Sequence, residues 1–307
     1  MIHGVLNVYK EKGFTSHDVV AKLRGIVGQK KIGHTGTLDP DAEGVLPVCL
    51  GKATKLCDLL TDKDKTYEAV MLLGITTDTQ DITGTVLEEN TTENITVEQV
   101  EKVIKSFVGD YDQIPPMYSA LKVQGKKLYE LARQGIEVER KARRVKILDI
   151  EILETELPRV RMRVTCSKGT YIRTLCDDIG QKLGCGACME ELLRTRVERF
   201  SIEESLKLSE IQELKEEGKL KTVLMTIDSM FPDLAKVTLD EAASCAVKNG
   251  NMFSREGISC VCPEKNEFSD GENILVYDNM GQFVAIYRYK KDDGYFKIVK
   301  MFFDGRQ

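Results

Sequence analysis

A glycine-rich segment, residues 33–44, constrains the fold more than any other part of the sequence. Its three glycines permit close backbone approach and positive φ angles, and Pro40 biases Asp39 toward an extended conformation. The segment leads directly into the apolar run Val45–Leu50. A loop of this composition can present the Asp39 carboxylate instead of burying it in a helix or strand.

Calcium binding, a structural turn and nucleophilic chemistry are three roles that such a carboxylate could serve. The acidic pattern of residues 39–44 matches the start of an EF-hand loop, but Leu50 stands where the bidentate glutamate should be, which excludes that site. An Asp-Pro pair in a loop most often forms an Asx turn. The third interpretation makes Asp39 a nucleophile, with His34 five residues upstream for substrate contact. Spacing alone favours the turn.

Hydrophobic periodicity predicts regular structure on both sides of this loop. The predicted helices are Ser16–Val27 with Ser16 as N-cap, a second from Thr96 to Gly109 with Gln99 completing a capping box, and Ile172–Leu183. The predicted strands are Thr66–Gly74 and residues 159–165. In the latter, three arginines alternate with apolar residues, which is typical of a half-exposed strand with a basic face.

Beyond about residue 235 the predicted elements are mostly short strands. Short strands are predicted at Ile274–Tyr277, Phe283–Tyr289 and Tyr295–Phe302, joined by turn residues, and Pro232 lies near the join. We therefore predict a large N-terminal domain, residues 1–234, and a small, mostly β C-terminal domain, residues 235–307.

Composition excludes several classes of protein. The 307 residues are 42% hydrophobic and 30% charged, as in a folded globular protein, and no apolar run approaches a membrane-spanning length. The nine cysteines are irregularly spaced and no secretory signal is evident, so we expect reduced thiols and a cytoplasmic location. A zinc site made by the pairs 185/188 and 260/262 has the wrong spacing, and no metal site is predicted.

Charge is unevenly distributed despite the net value of −5. Residues 122–146 carry nine Lys or Arg against three Glu, and residues 159–173 carry five Lys or Arg and no acid. Such segregation can produce a basic groove for a polyanion, or it can reflect solvated surfaces. Charge alone does not decide between the two.

Six sequence blocks together carry a resemblance to a known family. They are residues 10–16, 31–55, 65–68, 77–84, 113–129 and a last block made of 167–173 and 192–194, in that order. The segment 31–55 closely resembles the catalytic motif of the TruB family of tRNA pseudouridine synthases, and the others resemble that family's further motifs. Glu11 departs from the pattern, because the family usually has proline there. The C-terminal region resembles the family's PUA-like domain more loosely.

The resemblance implies an α+β pseudouridine-synthase fold, with a mixed, mostly antiparallel sheet flanked by helices and a small C-terminal β (PUA-like) domain. It also implies an isomerase that converts uridine 55 in the T arm of tRNA to pseudouridine after flipping the base. No cofactor and no obligatory protein partner are expected, and the protein is expected to be a monomer. The alternative is a catalytically idle tRNA-binding or RNA-folding factor on the same scaffold.

Individual roles follow from the same resemblance. Asp39 matches the catalytic aspartate and is assigned as nucleophile, Arg173 matches its paired arginine, and Tyr67 matches the active-site tyrosine. Tyr171 and Leu192 match positions that line the uracil pocket.

The remaining implied contacts are with the RNA around the target base. His34 matches a histidine thought to fill the stack that the flipped base leaves. Phosphates would be contacted by an RNA-binding insertion at about 112–146 and by the arginine face of 159–163.

Overall fold

The computed structural model describes residues 1–61, 63–123, 125–265 and 267–303. In this part of the chain the strands are β1 (Gly4–Lys10), β2 (Ile32–His34), β3 (Glu43–Leu50), β4 (Lys65–Leu73), β5 (Ile75–Thr77), β6 (Val86–Glu89), β7 (Gly109–Gln113), β8 (Lys122–Val123), β9 (Lys126–Lys127), β10 (Arg143–Glu156), β11 (Arg159–Cys166), β12 (Ala187–Val197), β13 (Phe200–Ser201), β14 (Ala235–Leu239), β15 (Phe253–Ser254), β16 (Ile258–Cys262), β17 (Asn273–Tyr277), β18 (Phe283–Lys290) and β19 (Tyr295–Met301). The α-helices are α1 (Ser16–Val27), α2 (Cys57–Thr61), α3 (Val97–Lys105), α4 (Leu128–Ala132), α5 (Ile172–Leu183), α6 (Leu208–Glu216) and α7 (Glu241–Lys248).

A large mixed sheet forms the scaffold of the first 201 residues. Its strand order is β1-β3-β12-β4-β11-β10-β7, with β2 and β13 at the sides. Every pair in it is antiparallel except β3 with β12. Helices α1 and α6 pack on β1 and β3, whereas α3 and α5 pack on β4, β10 and β11. The parallel β3–β12 pair lies near the middle of the sheet and brings the start of β3 beside the end of β12.

A second sheet is built from β14 to β19, in the order β15-β19-β18-β17-β14-β16. Its apolar interior contains Val237, Ile274 and Phe296, and α7 packs there through Val247. The sequence analysis placed short strands here but did not predict α7. The last four residues of the predicted C-terminal domain lie outside the described residues.

One apolar cluster joins the two sheets. Leu275, Ile286 and Phe302 from the second sheet region are buried together with Val5 and Cys49 from the first. Two hydrogen bonds cross at the same place: Lys55 Nζ donates to the carbonyl of Met301 at 2.8 Å, and the Tyr277 hydroxyl donates to Asp228 at 2.6 Å. The two sheets are therefore packed against each other and not merely linked by the chain.

Candidate active site

Asp39 lies in the loop between β2 and β3, and neighbouring elements fix the backbone of this loop. The Ser16 hydroxyl, at the start of α1, accepts a hydrogen bond from the Leu38 amide at 2.9 Å. On the other side of Asp39, the buried ammonium of Lys10 donates to the carbonyls of Pro40 at 2.9 Å and Ala42 at 2.5 Å. The loop thus presents a carboxylate, with its side chain 39% exposed, from a backbone anchored on both flanks.

Arg173 connects this carboxylate to two other segments. The guanidinium is 6% exposed, and Nη2 lies 3.3 and 3.4 Å from the two Asp39 oxygens. The same nitrogen donates to the Tyr118 carbonyl at 2.7 Å, and Nη1 lies 3.6 Å from Asp81 Oδ2. A buried cation held by two carboxylates and a carbonyl keeps its orientation, and here it is directed at Asp39.

The charge state of Asp39 results from opposing effects. Burial raises the pKa of this carboxyl above its usual value, while the positive charges of Arg173 and Lys10 lower it, and Asp81 raises it further. The net direction is upward. Partial desolvation strengthens a carboxylate as a nucleophile, and the guanidinium favours its ionised form.

Tyr67 and Leu192 lie on the same face of the sheet as the residues packed under α5. Tyr67 pairs with Arg194, and Ala69 with Leu192, in the antiparallel register of β4 and β12. Since residues two apart on a strand share a face, Tyr67 and Leu192 are diagonal neighbours. Both lie in or against the core cluster that includes Leu38, next to Asp39. The positions predicted to be catalytic and to line the pocket are therefore brought together on these strands.

Arg194 supports the floor of this site. It is 1% exposed, and its guanidinium donates to the carbonyl of Val45 at 2.7 Å and lies 3.4 Å from that of Gly36. Its main chain pairs with Gly44, whose φ is +105° and where a Cβ would come within 2.2 Å of the Arg194 oxygen. Glycine is required at 44 for this close approach. Burial raises the pKa of the Tyr67 hydroxyl, and the charge of Arg194 opposes that rise.

His34 and Tyr171 lie at the ends of the segments that carry Asp39 and Arg173. His34 ends β2, is half-buried, and meets His17 edge-to-face with ring centroids 5.5 Å apart. Burial lowers the pKa of His34, and the neighbouring His17 lowers it further, so its ring is neutral at pH 7. Tyr171 is half-buried and directly precedes α5, two residues before Arg173.

Comparison with known proteins identifies the family. The model described as "TruB family pseudouridylate synthase (N terminal domain)" matches residues 24–172, and "tRNA pseudouridylate synthase B C-terminal domain" matches residues 173–232. The chain belongs to the TruB family. It is therefore an enzyme of the pseudouridine synthase class.

Relatives of the TruB family align over essentially the whole chain. A tRNA pseudouridine synthase B from Lachnoclostridium phytofermentans is 53% identical over 98% of this chain and 100% of its own length. One from Bacillus pumilus is 43% identical over 94% and 93%. Among solved structures, a Cbf5–Nop10–Gar1 complex contains a chain that is 30% identical, with a TM-score of 0.72 over 98% of this chain and 85% of the other. The predicted fold class, including the small PUA-like β domain, is confirmed.

Four residues have clear structural roles in this TruB-family site that the sequence did not predict, although they lie in the blocks that resemble the family: Lys10, Asp81, Gln113 and Arg194. Gln113 is 1% exposed, and its amide contacts the backbone of Tyr171. Each acts on a residue 30 or more positions away, and no local pattern encodes such partners. The only signal in the sequence for these four residues was that they lie within the blocks that resemble the family.

The arginine face of β11 is paired with glutamates of the neighbouring strands. Arg159 is exposed and Arg163 is half-buried, and both are paired: Arg159 forms a bidentate pair with Glu190 at 2.8 and 2.9 Å, and Arg163 contacts Glu68 at 2.8 Å and Glu151 at 2.6 Å. Arg161 lies 3.9 Å from glutamates of β10 and β12. Glu68 is adjacent to Tyr67 on β4, so this face is the one turned away from the site. Its positive charge is thus paired with carboxylates of neighbouring strands, and contact of this face with phosphates stays a prediction.

Within the described residues, no group of three or more His, Cys, Asp or Glu could hold a metal ion. In the same part of the chain, no helix has the length and apolar character needed to cross a membrane. All nine cysteines are free thiols.

Proposed function

We propose that this TruB-family enzyme converts uridine 55 in the T arm of tRNA to pseudouridine, with Asp39 as nucleophile. The observation that carries the proposal is the Asp39–Arg173 pair, held on an anchored loop above Tyr67 and Leu192. The full-length similarity to proteins named tRNA pseudouridine synthase B supports tRNA as the substrate.

The reaction breaks the bond between N1 of uracil and C1′ of ribose and forms a bond between C5 and C1′. The C5 hydrogen leaves as a proton and N1 gains one, so the isomerisation has no net redox change. For this reason the proposal includes no cofactor, metal ion or second protein. Addition of a carboxylate to C1′ or to C6 of the base requires the ionised form of Asp39, which Arg173 stabilises.

The other residues have roles in holding the detached base. Tyr67 stacks on the uracil and is placed for proton transfer through its hydroxyl, while Leu192 and Tyr171 enclose the ring. The neutral imidazole of His34 is flat and half-exposed, and it occupies the stack that the flipped base leaves.

We also propose a division of labour along the chain. Residues 1–234 form the catalytic domain, with the insertion at 112–146 binding the RNA, and residues 235–307 form a PUA-like RNA-binding domain. The separate second sheet and its own apolar interior support this boundary.

Tritium release tests the reaction and the position together. A tRNA transcript labelled with tritium at C5 of uracil is expected to lose one tritium per molecule, and a transcript with cytidine at position 55 is expected to lose none. Asp39→Asn, which keeps the volume of the side chain, is expected to abolish release while tRNA affinity stays within about threefold. Release from the cytidine-55 transcript would refute the position. Turnover by Asp39→Asn would refute the nucleophile, and binding without release by the wild type would favour the idle RNA-binding factor.

A further inference from the structure

Gln113 is a buried side chain that the mechanism above does not use. Its amide nitrogen donates to the carbonyl of Tyr171 at 2.9 Å, and its amide oxygen accepts from the Tyr171 N–H at 2.8 Å. One side chain thus satisfies both main-chain polar groups of a residue 58 positions away. A planar amide carries a donor and an acceptor on two neighbouring atoms, so it can pair with the C=O and the N–H of one backbone residue. No ionised or hydroxyl side chain carries this combination.

The position of Gln113 in the fold gives this contact a function. Gln113 is the last residue of β7, where the chain leaves the sheet for the insertion, and it pairs with Arg143, where the chain returns in β10. Tyr171 is the residue before α5, and it has no side-chain cap of its own. The amide of Gln113 therefore joins the neck of the insertion, residues 113 and 143, to the N-terminus of the helix that carries Arg173.

A second bond joins the same two segments. Arg173 donates to the carbonyl of Tyr118, which belongs to the insertion, at 2.7 Å. The contacts of Arg173 with Asp39 are longer, at 3.3 and 3.4 Å, than an ideal charge-assisted hydrogen bond. Because the attraction falls steeply with distance at this range, a small displacement of the first turn of α5 separates the pair.

We propose that Gln113 is a positioning residue that couples the neck of the insertion to the Asp39–Arg173 pair. This inference rests on the proposed function, because it assumes the roles of those two residues. The insertion that binds RNA and the arginine that orients the nucleophile then move as one unit. Loss of the amide is expected to slow the chemical step and to leave tRNA binding largely unchanged, since the Gln113 side chain is buried and offers no surface to the RNA.

Two variants of similar length test the proposal in single-turnover tritium release with saturating enzyme. Gln113→Met removes both hydrogen bonds, and we expect its rate to fall about tenfold while tRNA affinity stays within about threefold. Gln113→Glu has an acceptor for the Tyr171 N–H, but its ionised form has no proton for the Tyr171 carbonyl. A protonated carboxyl restores both bonds.

The pH dependence separates positioning from general stability. The rate of Gln113→Glu relative to wild type is expected to rise as the pH falls from 8 to 5.5, whereas the relative rate of Gln113→Met is not. Exposed Gln212, on α6 and outside the insertion, supplies the matched control through Gln212→Met, with a rate equal to wild type. If Gln113→Met does not fold, the pH series of Gln113→Glu decides alone.

Other results would overturn the inference. A wild-type rate for folded Gln113→Met, or a relative rate of Gln113→Glu that does not change with pH, would show that the amide only fills space. These outcomes leave the proposed function intact, provided that Asp39→Asn is inactive. Turnover by Asp39→Asn would instead remove the proposed function itself.

Discussion

Lys10 holds the catalytic loop through main-chain oxygens alone. The ammonium is fully buried and donates to Pro40 and Ala42, on the far side of Asp39, and to the carbonyl of Glu11 at 3.3 Å. Because the Glu11 acceptor is a backbone atom, the replacement of the family's usual proline keeps this bond. Burial lowers the pKa of Lys10 to about 8, against the attraction of Glu43 and Asp39. A single side chain therefore fixes the position of the Asp39 loop at the expense of a desolvated charge.

Replacement of Lys10 tests this account. Lys10→Met leaves loop carbonyls without a donor, and we expect the free energy of unfolding to fall by about 1–3 kcal/mol and the single-turnover rate to fall as well. Lys12→Met, at an exposed position, is the control. The measurements are urea denaturation and tritium release.

The effect of Lys10 on stability also depends on pH. Its folded pKa, about 8, lies below the value of about 10.4 for an unfolded lysine, so between these values the unfolded state binds more protons. Wild-type stability relative to Lys10→Met is therefore expected to increase as the pH rises from about 8 to 10. A constant difference across that range would contradict a desolvated ammonium at this position.

At the level of single residues, the sequence predicted which side chains lie at the candidate site better than it predicted the residues that support them. Asp39, Tyr67 and Arg173 lie in motifs of recognisable composition, and the structure places them around one site. The role of Asp81 depends on Arg173, 92 positions later, and that of Arg194 depends on the carbonyl of Val45. Such roles become visible only when the fold has brought the partners together.

At the level of elements, periodic patterns predicted the regular structure well where one face is apolar. Helix α5 has the predicted bounds, 172–183, and ends at Gly184 in the left-handed conformation. Helix α1 also has the predicted range, but its N-cap is Thr15, which exchanges hydrogen bonds with Asp18 in a capping box. The prediction of Ser16 as N-cap was wrong because two hydroxyl residues, Thr15 and Ser16, are adjacent. The Ser16 hydroxyl instead accepts a hydrogen bond from the Leu38 amide.

The strands carrying arginines show the limit of pattern analysis. Alternation along β11 predicted which residues face out, but it carries no information on the glutamates of β4, β10 and β12 that neutralise them. Arg143 and Arg144, adjacent on β10, likewise differ in whether a carboxylate is paired with them. Arg144 forms a bidentate pair with Asp112 at 2.7 and 2.8 Å, whereas Arg143 is exposed and has no carboxylate partner among the described residues. Arg143 also shares the face of Gln113, toward Tyr171.

This difference predicts which arginine contacts RNA phosphates. Arg143→Ala is expected to lower tRNA affinity and to reduce the slope of log affinity against log salt by about one. Arg144→Ala, and the triple change of Arg159, Arg161 and Arg163 to Ala, are expected to leave that slope nearly unchanged. Filter binding between 50 and 400 mM salt measures all three. A larger effect from the triple variant than from Arg143→Ala would mean that the ion pairs on β11 open when RNA binds.

For the whole molecule, the question is whether the two sheets unfold together. Each has its own apolar interior, which favours independent domains. The cluster around Leu275, Ile286 and Phe302, however, also buries Val5 and Cys49 of the first sheet. A chain ending near Pro232 would expose that surface to water. Removal of the second sheet is therefore expected to cost stability in the first, besides any loss of RNA binding.

Two phenylalanines of equal size distinguish shared from separate stability. Phe302, 1% exposed, lies in the cluster between the sheets, whereas Phe296, fully buried, stacks on Phe253 inside the second sheet. Each change to alanine is expected to cost about 3–5 kcal/mol locally. Phe302→Ala is expected to accelerate hydrogen exchange of amides in β1 and β3 as well as in β17 and β18, because both sheets lose packing at the same place. Phe296→Ala is expected to accelerate exchange in β17 to β19 and to leave β1 and β3 protected. Equal protection of β1 and β3 in both variants would show that the first sheet is stable without the packing of its neighbour.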